Sequence, residues 1–293
     1  MMKIGNSKYY KLFSYINALC MILLCIMFLY PMVYTLAMSL SDAKSILEGK
    51  VILFPRGFTI EAYRALMKDK SIRDAMLFTI ELTISGVAAS IIMTTLTAYP
   101  LSRRDLKGRN FILKLIVFTM YFSGGLIPTY ILVKSVGLTN KMGSLILPGV
   151  IDTFLLIIMI SYFRSLPVEL EEAAKVEGCS NFGILARIII PLSLPVIATL
   201  TIFYAVSYWN TFFNALIYIQ SPKKYTLQIK LYQVLNIFSD NIANSADASA
   251  ASLLIPENLK GATVFVTVLP IVFVYPWLQK YFIKGVTIGA LKG

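Results

Sequence analysis

The sequence predicts an all-α integral membrane protein with six transmembrane helices. Of its 293 residues, 57% are hydrophobic and only 14% are charged, whereas a soluble domain usually carries about 25% charged residues. Apolar runs long enough to cross a bilayer, which takes about 20 residues, also recur along the whole chain. Together the two features exclude a soluble globular domain.

Six apolar runs are the predicted spans, and hydrophilic segments separate them. The fifth run contains Pro191 and Pro195, and we expect a break there because proline interrupts a helix. The predicted spans cover Leu12 to Leu40, Ala75 to Leu101, Phe111 to Val133, Met142 to Phe163, Ile188 to Ile219 and Ala262 to Phe282.

Basic residues indicate the orientation of the chain. Lys3, Lys8 and Lys11 precede the first apolar run, which is too long for the apolar part of a signal peptide. A compact basic cluster from Arg103 to Lys114 favours the cytoplasm for the loop after the second span, although the total Lys and Arg counts of the two sides barely differ. The expected division is a cytoplasmic N-terminus, a six-helix domain and a cytoplasmic tail, at residues 1–11, 12–284 and 285–293.

Composition excludes several classes of function. The net charge of +12 could indicate a nucleic-acid partner, but basic residues that flank membrane spans also face anionic lipid headgroups, so we expect the lipid bilayer and no nucleic acid. The chain contains no histidine, and Cys20, Cys25 and Cys179 match neither a disulfide framework nor a metal-ligand spacing. It also lacks the phosphate-binding pattern G-x-x-x-x-G-K-[ST]. We therefore expect no catalytic residue, no metal and no cofactor in this chain.

The stretch from Leu166 to Pro195 predicts a short helix-turn-helix between the fourth and fifth spans. Pro167 and the glutamates that follow it are signals of a helix N-terminus. Gly178 interrupts this helix, and Ser180 or Asn181 is suited to cap a second one. Such an element does not span the membrane and can dock on a partner while its ends stay fixed there.

The same stretch resembles the EAA loop of ABC importer permeases. The family pattern is Glu-Ala-Ala, three residues, Gly, nine residues, Ile, one residue and Leu-Pro, and this chain keeps every spacing, with Ile190 where leucine is usual. Glu-Ala-Ala alone is also ordinary helix-forming sequence, so the complete spacing carries the resemblance. The resemblance implies a type I ABC importer permease fold with a cytoplasmic coupling helix in loop 165–187. It implies contact with an ATPase at Glu172, Ala173, Ala174, Gly178 and Pro191.

Other stretches resemble permeases of the carbohydrate type. They include Ile127-Pro128-Thr129-Tyr130, Trp209-Asn210 and the tail after Lys284, which is similar to that of the maltose-type second permease. The pattern is nearest to permeases for complex or acidic oligosaccharides, including the alginate importer. The resemblance implies oligosaccharide import across the bacterial cytoplasmic membrane, with ATP and Mg bound by partner subunits. The implied partners are a second permease, two ATPase subunits forming a homodimer, and an extracytoplasmic solute-binding protein.

The fifth span carries a candidate substrate path. Tyr204, Ser207, Thr211 and Asn214 fall on one helical face at the three-to-four spacing, where rings stack on sugars and amides bond their hydroxyls. The alternative is helix packing, since Ser, Thr and Asn also join membrane helices. The full candidate set is Tyr204, Ser207, Tyr208, Trp209, Asn210, Thr211 and Asn214.

Three points stay open in the sequence. Glu81 and Asp152 fall in or near spans, where acids are often functional, but neither has an identifiable partner. Loop 220–261 either contacts the binding protein or is a connector. The alternative function is an ion-coupled secondary transporter of a polar solute, which the sparse intramembrane charge and the lack of an internal repeat disfavour. A membrane enzyme is disfavoured because no dense polar cluster is present.

Overall fold

A computed structural model describes residues 8–244 and 257–290, and the regular elements in these ranges are helical, as predicted. The predicted segments 1–11 and 285–293 and the loop 220–261 lie partly outside the described residues. In chain order the helices are α1 (Lys8–Ser39), α2 (Ala43–Leu47), α3 (Glu61–Lys68), α4 (Lys70–Ser102), α5 (Arg109–Tyr121), α6 (Leu126–Ser135), α7 (Gly143–Ile146), α8 (Thr153–Ser165), α9 (Glu169–Val176), α10 (Asn181–Ile184), α11 (Ile190–Leu192), α12 (Leu194–Trp209), α13 (Phe213–Tyr218), α14 (Leu227–Asn244) and α15 (Glu257–Ala290).

The chain divides into two compact units, which comprise residues 1–70 with 231–268 and residues 71–230 with 269–293. In the first unit, α15 approaches α1 closely at Gly261. A Cβ atom there would lie 3.0 Å from the carbonyl oxygen of Thr35 and 3.1 Å from the backbone nitrogen of Ser39. The Asn258 amide donates a hydrogen bond of 3.2 Å to the carbonyl of Ser41 beside this contact. A small residue at the crossing therefore lets two membrane helices touch through their backbones.

The described helices account for most of the predicted spans. Within them, Lys11–Ser39 and Lys70–Ser102 are each long and apolar enough to cross a membrane as one helix. Three further pairs of helices qualify only if each bent pair is one span, which raises the number to at most five among the described residues. The sixth predicted span, Ala262 to Phe282, lies within the 34-residue helix α15.

The third predicted span is not one continuous helix. Helix α5 ends at Tyr121, α6 begins at Leu126, and their axes differ by 114°. Gly125 between them has φ +84°, a conformation that an L-residue with a side chain rarely adopts. The span predicted from Phe111 to Val133 therefore contains a sharp bend that the sequence did not predict, because hydropathy reports apolar length and not the direction of the backbone.

The break predicted in the fifth span is confirmed. The segment Asn181–Leu192 and helix α12 meet at an angle of 80°, and Ser193 between them lies between Pro191 and Pro195. Neither proline has an N–H to continue the helical hydrogen bonds. The fourth predicted span also bends, by 54°, between Gly143–Gly149 and α8.

The core of the second unit forms where α4, α8 and α12 pack together. Leu82 of α4, Met159 of α8 and Leu200 of α12 are each fully buried. Ile184, which precedes the π-helical turn after α10, and Ile189, the last residue of that turn, belong to the same core. The predicted helix-turn-helix is therefore attached directly to the centre of this unit.

Candidate functional site

Helix α9 forms the first half of the predicted coupling segment. Glu169, Glu171 and Glu172 fill its first turn, where negative charge stabilises the helix dipole. Ala174 and Glu171 are 5% and 3% exposed, whereas Glu172 and Ala173 are exposed to solvent. The predicted amphipathic helix is thus present, and of the Glu-Ala-Ala tripeptide only the second alanine packs inside.

Gly178 forms the turn between α9 and α10. It has φ +82°; its N–H donates to the carbonyl of Lys175 at 3.0 Å, and the N–H of Cys179 donates to the carbonyl of Ala174 at 2.9 Å. This pair of bonds is the Schellman arrangement, which favours glycine at the left-handed position. A Cβ atom at Gly178 would meet nothing within 4 Å. Backbone conformation, and not crowding, therefore selects glycine here.

The second half of the segment starts at Ser180, one of the two predicted caps. Its Oγ accepts a hydrogen bond of 3.1 Å from the N–H of Gly183. Residues Leu185–Ile189 then form a π-helical turn, a feature that recurs at functional sites. Pro191 follows and is exposed. It cannot donate to the carbonyl of Arg187, so one helical hydrogen bond is missing there.

One basic side chain pairs with α9, and others lie in the neighbouring loop and helix. Arg103 forms an ion pair with Glu171, and Arg164 donates a hydrogen bond of 3.3 Å to the carbonyl of Leu101. A cleft of about 590 Å³ lies between the loop after α4 and the helices α9 and α10. Lys107 and Lys175 are among its lining residues. The acidic start of α9 is therefore held beside a cationic surface.

Three of the candidate path residues are buried. Tyr204 is 2% exposed, and its hydroxyl lies 2.8 Å from the Thr94 hydroxyl. Tyr208 is 5% exposed, and its hydroxyl lies 2.9 Å from the Ser90 hydroxyl. Trp209 is also buried. The two tyrosines join α12 to α4, which is the packing role that the sequence left as the alternative.

The helix that carries these residues ends earlier than predicted, at Trp209. The Asn210 amide donates to the carbonyl of Val206 at 2.9 Å, and the Thr211 hydroxyl donates to the carbonyl of Ser207 at 3.2 Å. Polar side chains that bond the preceding turn compete with helix continuation. Because α13 begins only at Phe213, the prediction of one helical face that includes Thr211 and Asn214 was wrong.

The chain after α13 returns to this helix end. The Gln228 amide donates to the Asn210 side-chain oxygen at 3.1 Å, and the Thr226 hydroxyl donates to the carbonyl of Thr211 at 2.9 Å. Asn210 is exposed and Gln228 is half-buried. Sequence reasoning missed Thr226 and Gln228 because no spacing rule links residues so far apart. Ser207 and Asn214 are exposed, and Thr211 is half-buried.

The two acids left open by the sequence differ in their surroundings. Asp152 caps α8, since its Oδ1 accepts from the N–H of Leu155 at 2.9 Å. The Asp152 backbone N–H donates to the Tyr204 hydroxyl at 3.1 Å. These bonds give Asp152 a structural role. Glu81 lies on the exposed side of α4.

Asn140 joins the connection between α6 and α7 to the connection that follows α13, both in the second unit. It has φ +59°, and its Oδ1 accepts from the backbone N–H groups of Gln220 and Ser221 at 3.2 and 3.0 Å. Its carbonyl accepts a bond of 2.8 Å from Lys224. Asparagine tolerates the left-handed region better than most residues, so one side chain both forms the turn and ties it to the start of loop 220–261.

Comparisons with known proteins agree with this geometry. A family model described as binding-protein-dependent transport system inner membrane component matches residues 5–288. The polygalacturonan/rhamnogalacturonan transport system permease protein YtcP of Bacillus subtilis (strain 168) is 40% identical over 271 residues, which are 92% of this chain and 94% of that protein. Protein LplC of the same strain is 42% identical over 288 residues, which are 98% of this chain and 97% of that protein.

A solved structure is similar over almost the whole length. One chain in the crystal structure of a bacterial ABC transporter involved in the import of the acidic polysaccharide alginate superposes with a TM-score of 0.86 at 30% identity. The match covers 94% of this chain and 99% of that one.

The helical fold, its bent spans and the segment around α9 define the membrane-embedded permease of a transporter. More particularly, the chain belongs to the family of binding-protein-dependent transport system inner membrane components. It is the non-catalytic permease of an ABC transporter, located in the inner membrane. An ion-coupled secondary transporter is therefore not its class.

Proposed function

We propose that the chain forms half of the translocation path for an oligosaccharide and that residues 165–187 couple it to an ATPase. The observation that carries this proposal is the exposure of Glu172 and Ala173 on a helix anchored by its opposite face. Gly178 and Ser180 hold the next short helix at a defined angle. An exposed face on an anchored, non-spanning helix suits the transmission of force from a partner.

The family description names a binding-protein-dependent system, and the proposed partners follow from it. A second permease completes the path, two identical ATPase subunits bind ATP and Mg, and an extracytoplasmic binding protein delivers the solute. With residues 1–11 and 285–293 in the cytoplasm, residues 165–187 face the ATPase. ATP binding drives transport only if it favours the outward-facing conformation over the inward-facing one.

Reversal of one exposed charge tests the coupling assignment. We expect Glu172→Lys to lower both the recovery of the ATPase in a pull-down and sugar uptake by at least about thirtyfold, because removing one partner of a buried interfacial charge pair costs at least about 2 kcal/mol. Glu177→Lys is the matched control, since Glu177 is also exposed in this segment but lies outside the tripeptide. ATPase recovery and uptake that are unchanged in Glu172→Lys would contradict the coupling assignment.

We propose an acidic oligosaccharide as the substrate. The relative YtcP is named for polygalacturonan, a polymer of an acidic sugar. The similar crystal structure is of a transporter for the acidic polysaccharide alginate. In this chain Lys141 and Lys223 are exposed beside the turn that Asn140 holds. With this turn on the outer side, their charge attracts an anionic solute to the entrance.

Within the path, the exposed amides are the proposed sugar contacts, and the buried tyrosines are packing residues. We expect Asn210→Ala to lower uptake of an acidic oligosaccharide by about fivefold, since one hydrogen bond contributes about 1 kcal/mol. Tyr204→Phe removes the bonds to Thr94 and to the Asp152 N–H and should lower thermal stability without changing substrate preference.

The measurement is uptake of a labelled oligogalacturonate and of a neutral galacto-oligosaccharide by the reconstituted four-subunit importer. Preference of the wild type for the neutral sugar would contradict the acidic substrate. A substrate preference that changes with Tyr204→Phe and not with Asn210→Ala would reverse the assignment of path and packing residues.

A further inference from the structure

The two adjacent glutamates of α9 have opposite surroundings. Glu172 is exposed, whereas Glu171 is 3% exposed and pairs with Arg103, whose side chain is 19% exposed. Arg103 is the first residue after α4. Removing one partner of a buried ion pair leaves an uncompensated charge and is strongly destabilising. The pair is therefore a direct contact between the end of α4 and the coupling helix, and the loss of either partner is costly.

The Arg103 guanidinium has few other contacts. Its carbon lies 4.8 Å from the ring centroid of Tyr99, on the last turn of α4. The Tyr99 ring in turn meets Phe163 of α8 edge-on, with 6.5 Å between centroids. Among the described residues, Nε and Nη2 of Arg103 are buried without a hydrogen-bond partner. Glu171 and an aromatic face thus hold this arginine, so its position depends on where α9 lies.

We propose that Arg103 and Glu171 are positioning residues that make the coupling helix move with α4 during transport. The inference rests on the proposed coupling role of residues 165–187. The exposed Glu172 contacts the ATPase, while the buried Glu171 transfers the displacement of α9 to α4. The cleft beside the pair leaves α9 without close packing on that side, so the ion pair provides the connection there.

Helix α4 continues this connection to α12, which ends next to Asn210, a proposed sugar contact. Ser90 and Thr94 of α4 bond to the hydroxyls of Tyr208 and Tyr204 on α12. A shift of α4 relative to α12 must strain or break these two buried bonds. Packed side chains and hydrogen bonds of this kind carry energetic coupling between distant sites.

The test uses Arg103→Gln, Glu171→Gln and the exchanged pair Arg103→Glu with Glu171→Arg, in the reconstituted four-subunit importer. We expect each single variant to retain the ATPase in a pull-down, to lower sugar uptake by about tenfold and to raise ATP hydrolysed per sugar, within the usual range of coupling effects. The exchanged pair should recover uptake to within about threefold of the wild type, as a double-mutant cycle requires of a direct contact. Arg104→Gln is the control, because Arg104 is the exposed neighbour in the same loop.

Normal uptake by both single variants would overturn the inference, as would an exchanged pair no better than either single variant. If the single variants assemble poorly, the exchanged pair decides. Restored assembly with restored uptake supports the positioning role, and restored assembly with poor uptake shows a role in folding alone. The result is separable from the coupling proposal, because Glu172→Lys tests ATPase binding without touching the ion pair.

Discussion

Replacement of Gly178 by valine is expected to abolish most sugar uptake, by at least about tenfold. The residue has φ +82°, and an L-residue in this region costs about 1–2 kcal/mol, which corresponds to about five- to thirtyfold in an equilibrium constant. A β-branched side chain is especially unfavourable there. The turn between α9 and α10 would open, and the exposed Glu172 would lose its orientation toward the ATPase.

Two control variants separate backbone strain from other effects. Gly178→Asn adds a side chain of similar size, but asparagine tolerates positive φ, so it should retain several times more uptake than Gly178→Val. Gly49→Val introduces the same strain at φ +67° in the other unit, also with nothing within 4 Å, and should leave ATPase recovery unchanged. Equal loss in Gly178→Asn and Gly178→Val would contradict the backbone explanation and favour a steric clash with the partner.

Replacement of Gly86 by alanine is expected to destabilise the second unit by about 1–3 kcal/mol, the usual cost of overpacking. A Cβ atom there would lie 2.8 Å from three atoms of the Tyr208 ring. The ring is buried, and its hydroxyl lies 2.9 Å from that of Ser90, one turn further along α4. It therefore cannot move aside without losing this bond. The measurement is the thermal unfolding midpoint of the assembled importer in detergent.

The matched control is Gly149→Ala, where a Cβ atom would meet nothing within 4 Å, and its midpoint should stay close to the wild type. Tyr208→Ala should be destabilising alone, and Gly86→Ala should add little to it because the clashing ring is gone. Full additivity of the two changes would contradict a direct contact between Gly86 and Tyr208.

The parts of the fold that depend on local chemistry could be predicted from the sequence. Gly178, Ser180 and the first-turn glutamates of α9 each act within four residues, through backbone conformation, capping or the helix dipole. The break between Pro191 and Pro195 has the same local origin. The bend at Gly125 was missed because a glycine in an apolar run shows that a turn is allowed there but not that a turn forms.

The candidate path could not be divided correctly from the sequence. Tyr204 and Asn210 both look suited to a sugar. The tyrosine offers a ring and a hydroxyl, and the asparagine offers an amide that can form hydrogen bonds. Their roles separate only because Thr94 and the Asp152 N–H meet the tyrosine hydroxyl, whereas Asn210 stays exposed and meets Gln228. Such partners come from distant positions in the chain.

The sequence by itself determined that this protein spans a membrane and that the segment around Glu172 forms two short helices joined at Gly178. These properties follow from apolar length and from contacts within one or two helical turns. Only the tertiary structure decided that Glu171 faces inward to Arg103 while Glu172 faces outward. The physical reason is that burial of one of two adjacent carboxylates depends on which helix face meets a cation, and that cation comes from a loop 68 positions earlier, at Arg103.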